Sequence, residues 1–121
     1  MSVSVDFSEA GEILIARVDG VYELKSDETA DRAIAARSKE GGFRRVLIDS
    51  RKLDGMPEAS ESYHAGSSLE ERGFTRNMKL AFVDRAEFKK ANEFYALVAR
   101  NRGFMVQHFY TEYEAFEWLR A

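Results

Sequence analysis

The 121-residue sequence has no cysteine, a single proline, a single tryptophan and only two histidines. Without cysteine the chain can form no disulfide, thiol nucleophile or thiolate-ligated zinc site, so packing alone must stabilise it, and the composition suits a reducing compartment. Neither His64 nor His108 stands in a His-x-x-His or His-Glu-x-x-His spacing, so no metal site and no cofactor are expected. No apolar run is long enough to cross a bilayer, and the opening residues Met1-Ser2-Val3-Ser4-Val5-Asp6 lack the basic and apolar regions of a secretory signal. The cytoplasm is the expected location. Surplus positive charge is missing as well. Eighteen basic and 21 acidic residues are interspersed for a net charge of -3, which leaves no field to attract phosphate backbones or anionic lipid. Nucleic acid and membrane insertion are therefore not expected. No Gly-x-Gly-x-x-Gly or Gly-Lys-Ser/Thr loop appears. His64 and the nearby Ser60, Ser62, Ser67 and Ser68 lack a nucleophile elbow and read as solvated helix residues.

What is present is apolar substance: 45% hydrophobic and 12% aromatic residues, enough for one compact domain over residues 1–121. Val3, Val5 and Phe7 alternate with polar residues, and after a turn Ile13 to Val18 form a second strand. From about Asp27 the positions Ala30, Ala33, Ile34 and the stem of Arg37 recur at helical spacing until Gly41-Gly42. The runs Val46-Leu47-Ile48 and Leu80-Ala81-Phe82-Val83 suit interior strands buried on both faces. Between them a weak helix is expected from about Met56 to Gly73, with Ala59, Tyr63 and Leu69 as its apolar positions and Gly66 in its middle. Asp84 with Glu87 resembles a capping box opening the strongest helix, where Phe88, Ala91, Tyr95 and Val98 form a stripe widened by Phe94 and Leu97. A mixed strand over 104–109, suited to a sheet edge, precedes a last helix capped by Thr111 with Glu114 and carrying Ala115, Phe116, Trp118 and Leu119, where the aromatics Tyr113, Phe116 and Trp118 read as core. The element order reads ββαβαβαβα. Right-handed crossovers between the later strands leave the first strand antiparallel, giving an α/β fold with a mixed five-stranded sheet and about four helices.

Three stretches carry a family resemblance: Val18-Asp19-Gly20 after a strand, Val46-Leu47-Ile48-Asp49 through Asp54-Gly55, and Glu114-Ala115-Phe116-Glu117-Trp118-Leu119. In their order they resemble the SpoIIAA-like family of the STAS superfamily over nearly the whole chain. The resemblance implies a domain that docks on another protein or holds a small apolar or nucleotide-like ligand, with no conserved chemistry. In the family's anti-sigma factor antagonists a phosphorylated serine follows an aspartate at the start of the second helix. The matching stretch here, Asp54-Gly55-Met56-Pro57, has no serine, and the nearest hydroxyls are Ser60 and Ser62.

Asp19, Asp49 and Asp84 each follow a predicted parallel strand, where open α/β folds place ligands. Gathered there, the three could hold magnesium and make a phosphoacceptor or small hydrolase. The competing reading makes Asp19 a turn residue, Asp84 a helix cap and Asp49 a ligand of loop amides. The candidate binding edge comprises Asp19, Asp49, Asp54, Tyr63 and Asp84, with the second helix beside it. The excess apolar arc on the third helix suggests a homodimer seam.

Overall fold

The computed structural model describes residues 3–55 and 57–121. The five strands are β1 (Val3–Ala10), β2 (Ile13–Val21), β3 (Arg45–Asp54), β4 (Lys79–Val83) and β5 (Met105–Phe109). They form one sheet in the order β1-β2-β3-β4-β5, with β1 antiparallel to β2 and all later neighbours parallel. The helices are α1 (Leu24–Gly41), α2 (Ala59–Ser67), α3 (Lys89–Asn101) and α4 (Glu112–Arg120), with a 3₁₀ turn at Ala86–Phe88. The ββαβαβαβα order and the mixed sheet agree with the sequence reading.

Alternation along the strands divides the core in two. Leu14, Ala16, Val46, Ile48, Leu80 and Val106 face α1 and α3, while Ile13, Ile15, Leu47, Ala81 and Val83 face Ala115 and Leu119 of α4. The central strands therefore need apolar residues at every position, which is why their sequences run unbroken. Lys79 fastens α4 to the sheet: its Nζ donates to the Trp118 carbonyl at 2.6 Å and lies 4.4 Å from the Trp118 ring centre. Tyr113, expected among core aromatics, is instead 72% exposed, and Phe116 and Trp118 are half-buried.

Three helices depart from expectation. Helix α1 starts one turn early at Leu24, behind an extended Glu23 that provides no side-chain cap, so the usual start signal is missing. Its buried stripe is Ala30, Asp31, Ile34, Ala35 and Ser38, with Ala33 and Arg37 exposed. The face is rotated because two polar residues on it find partners: Ser38 Oγ donates to the Ile34 carbonyl, and Asp31 accepts from Arg72.

Helix α2 covers only 59–67, and its expected first residue, Met56, lies outside the described residues. Ala59 and Tyr63 are exposed, while Ser62, Ala65 and Gly66 are buried. The inward face is made of small residues because α2 packs very close to α3. A Cβ on Gly66 would stand 2.8 Å from the Tyr95 carbonyl oxygen and 3.0 Å from Val98 Cβ. At α3, Asp84 and Glu87 make no capping box. The 3₁₀ turn intervenes and the Asp84 carboxylate is bound elsewhere.

Strand β3 is longer than its apolar run. A register shift against β2 between Arg17 and Asp19 pairs Arg17 with Asp49 but Asp19 with Lys52, so β3 carries the extra residue of a bulge. The bulge reverses the alternation and turns Leu53 toward the α1 side of the core. Strands β2 and β3 thus continue past the end of β4, and their extension forms one wall of a cavity.

Candidate functional site

The cavity has a volume of about 90 Å³ and lies at the carboxyl ends of the parallel strands, on the face covered by α1, α2 and α3. This is well above the ~10–15 Å³ that one water requires. Strand ends provide Val18, Ile48, Leu53, Phe82, Asp84 and His108. Tyr22, Asp27 and Asp31 enter from the start of α1, Ser62 from α2 and Tyr95 from α3.

One wall is aromatic. Phe82 stacks on His108 with ring centres 4.9 Å apart, and Tyr95 meets both rings edge-on at 5.4 and 5.5 Å. His108 is fixed through Nδ1, which donates to Asp84 Oδ2 at 2.5 Å, in a side-chain pair only 8% and 13% exposed. With Nδ1 donating, Nε2 is the nitrogen left to face the cavity. It is buried and has no hydrogen-bond partner among the described residues, and the same holds for Ser62 Oγ and the hydroxyls of Tyr22 and Tyr95. Buried polar atoms normally find partners. With Asn92 Nδ2, five such atoms belong to residues that line this one cavity.

A second set of lining groups is acidic: Asp27 and Asp31, which share one guanidinium. Arg72, with a side chain 1% exposed, donates through the same Nη1 to Asp31 Oδ2 at 2.6 Å and to Asp27 Oδ2 at 3.1 Å. Burial, and next the negative charge of Asp27, push the Asp31 carboxyl up to about 7 against the opposing pull of Arg72. Asp27 is raised as well, chiefly by burial. Burial foremost also holds the Tyr22 and Tyr95 hydroxyls well above the ordinary phenol range, so both stay protonated.

Of the five residues singled out in the sequence, only Asp84 lines this cavity. Asp49 lies within β3, on the α4 face. Its Oδ1 accepts from the Arg51 amide at 3.1 Å and from Arg51 Nε at 2.9 Å, and its Oδ2 accepts from Arg17 at 2.6 Å. Burial works to raise its pKa, but the bonds from Arg51 and Arg17 outweigh burial and hold it below the usual range. Asp49 therefore braces the bulge inside β3, bonding a strand amide, whereas the sequence reading placed it after the strand and against loop amides. Glu112 of α4 also accepts from Arg17 and Arg51, which closes a four-residue ionic network at the start of that helix.

Asp19 is exposed on β2, on the opposite face from Val18. Asp54 is exposed with Oδ1 3.5 Å from Arg85 Nη2. Tyr63 is 48% exposed on the outer side of α2, its hydroxyl accepting from Arg102 at 3.1 Å. The sheet thus separates Asp49 and Asp19 from Asp84, and among the described residues no group of three carboxylates or histidines is placed to hold a metal ion. Sequence reasoning missed Asp27, Asp31, Arg72 and the role of His108. One signal was available, a carboxylate at 31 inside the apolar stripe of α1, one turn from another at 27.

Two solved structures share the fold of this chain along nearly its full length. An anti-sigma factor antagonist from Mycobacterium paratuberculosis superposes with a TM-score of 0.68 at 14% identity, covering 99% of this chain and 96% of its own. A protein of the DUF3478 family from Shewanella loihica, with a SpoIIAA-like fold, superposes at 0.61 and 17% identity, covering 98% and 93%. The chain has the SpoIIAA-like fold. The sequence resemblance thus holds at the level of architecture, and at these identities the likeness is one of fold alone. No family model matches the chain, and no curated protein matches it significantly.

The stretch 54–57, which the sequence resemblance matched to the antagonists' phosphorylated serine, includes Met56, outside the described residues. Of the neighbouring hydroxyls Ser60 is exposed, whereas Ser62 is 1% exposed and turned to the cavity, out of reach of a modifying enzyme. On α3, Phe94 and Leu97 are 39% and 50% exposed, one turn apart on the outer face. Among the described residues no helix is long and apolar enough to cross a membrane.

Proposed function

We propose that this chain is a binding domain, without a catalytic step of its own, that holds a small molecule in the cavity at the strand ends. The observation that carries the reading is the convergence of His108 Nε2, Ser62 Oγ and the two tyrosine hydroxyls, buried without partners among the described residues around one space. Leaving such groups unsatisfied costs about 1–3 kcal/mol each, so a molecule that bonds them is held tightly. Binding rather than acyl transfer is favoured because Nε2 has no hydroxyl within hydrogen-bond reach and therefore no nucleophile to activate.

A second, compatible reading rests on Phe94 and Leu97. Apolar residues paired on an exposed face suit a protein contact, and a second copy of the chain is the occupant we favour. That one structural neighbour is an anti-sigma factor antagonist supports protein partners in general. A cytoplasmic location is part of this proposal and is supported only by the lack of cysteine.

Native mass spectrometry of gently purified protein tests both. The expected spectrum carries an added small-molecule mass that is released on denaturation and is lost in Ala91→Met, which narrows the cavity. It also contains a dimer that Leu97→Glu abolishes. A bare mass in both proteins rules out a retained ligand, and a monomer at all concentrations rules out the dimer.

A further inference from the structure

We propose that the ligand of this cavity is a small organic cation, a protonated amine on a compact apolar body; the inference rests on the ligand-binding reading above and goes further by fixing the sign of the charge. Three carboxylates, those of Asp27, Asp31 and Asp84, line the cavity, and none of its lining residues is a lysine or arginine. An anion, including the phosphate of a nucleotide-like ligand, would enter a low-dielectric space facing three acids, while the guanidinium beside them, Arg72, does not line the cavity and is already bonded to Asp27 and Asp31.

The internal charge balance points the same way. Asp84 has a hydrogen bond from His108 Nδ1, which a neutral ring donates without adding a counter-charge, whereas Asp27 and Asp31 share one guanidinium and bond to the same nitrogen of it. That pair carries one negative charge more than Arg72 can match, and a buried unmatched charge is costly. The Asp31 carboxyl is displaced upward by burial foremost and next by the charge of Asp27, so the second contribution has the sign of this surplus.

The neutral groups fit an ammonium. An R–NH₃⁺ head offers three donors and no acceptor. His108 Nε2 accepts when the ring is neutral, and the oxygens of Ser62, Tyr22 and Tyr95 accept as well, so four of the five lining atoms unpartnered among the described residues can receive an N–H and only Asn92 Nδ2 is a pure donor. Ser62 is 1% exposed and the His108 side chain 8%, so these acceptors lie inside the cavity and not at its rim. The faces of Phe82 and Tyr95 add the negative quadrupole that attracts a cation. Val18, Ile48 and Leu53 provide the apolar remainder for a short hydrocarbon body.

Three probes of one shape decide the matter: isobutylamine, isobutanol and isobutyrate, titrated separately into the full chain at neutral pH and followed by NMR at the His108 ring and the Ser62 amide. Hydrogen bonds to a charged partner exceed neutral ones by about 1–1.5 kcal/mol, so the amine should bind about tenfold more tightly than the alcohol. Isobutyrate should give no saturable shift, and in Asp31→Asn the advantage of amine over alcohol should shrink. Isobutyrate binding as tightly as the amine, or an amine no tighter than the alcohol, would overturn the cation and leave a ligand cavity standing. Failure of all three to perturb His108 and Ser62 saturably would overturn the cavity reading and the cation with it. Because the series is measured on the wild-type chain, the outcome does not depend on whether the variant folds.

Discussion

At position 31 a carboxylate occupies a place that the helical pattern of α1 would fill with an apolar side chain. Its burial beside Asp27 pushes its pKa from 3.8 to about 7. The consequence for stability has a definite sign. A carboxyl whose folded pKa is raised binds its proton more tightly in the folded state. Its contribution is therefore fully present below 3.8 and declines until the pH passes about 7. Asp49 and Glu112, both held below their ordinary range, act oppositely, adding stability that is lost as the pH falls through their folded values. Urea denaturation across this range should therefore show a decline in wild-type stability above pH 4 that is distinctly shallower in Asp31→Asn. Identical slopes in the two proteins would show that Asp31 is not the group responsible.

The same residue marks how far the site was legible. Periodicity assigns sides on the assumption that polar residues face water, and it fails where a buried acid is matched by a distant base. Arg72 lies 41 positions from Asp31. Nothing in the sequence joins them before the fold does. His108 failed to register for a related reason: it stands alone in the sequence, and its partner Asp84 stood in good position for a helix cap.

Among the elements, the strands were read well and the helices unevenly. Unbroken apolar runs between turn residues define interior strands with little ambiguity, and Thr111 with Glu114 marked α4 because that cap is made as its sequence suggests, the Glu114 amide donating to Thr111 Oγ1 at 3.3 Å. Helix α2 was misjudged because small residues were read as weakness. Ser62, Ala65 and Gly66 form its packed face, and the glycine allows two backbones to approach. Gly66→Ala tests this directly. Alanine is the better helix former by about 1 kcal/mol, yet a Cβ 2.8 Å from a carbonyl oxygen demands movement of α3. Overpacking of this kind costs about 1–3 kcal/mol. The expected result is a lower urea midpoint with an unchanged slope, and a raised midpoint would mean that α2 and α3 are not in close contact.

For the molecule as a whole, the bulge in β3, the α2–α3 contact and the His108–Asp84 pair serve one arrangement. The sheet provides a rigid floor, the extended ends of β2 and β3 rise beside it, and α2 closes the side with a face of small residues. Two sets of charged groups occupy opposite faces of the sheet. The Arg17, Asp49, Arg51 and Glu112 network is satisfied and half open to water, where ion pairs contribute little each, and it holds α4 in place. The set around the cavity is buried and incompletely paired among the described residues, the condition under which a ligand gains most from binding. Fold order and strand pairing could be read from the sequence because they follow from local pattern. The cavity could not, because it is made by residues from four strands and three helices that meet only after folding.

The most direct measurement is a crystal structure of protein purified without added small molecules from the cells that make it, examined at the cavity. The expected result is continuous non-protein density, larger than water, within hydrogen-bond distance of His108 Nε2 and Ser62 Oγ. Separate ordered waters satisfying those atoms and the two tyrosine hydroxyls would contradict a ligand site and make the cavity a hydrated part of the core.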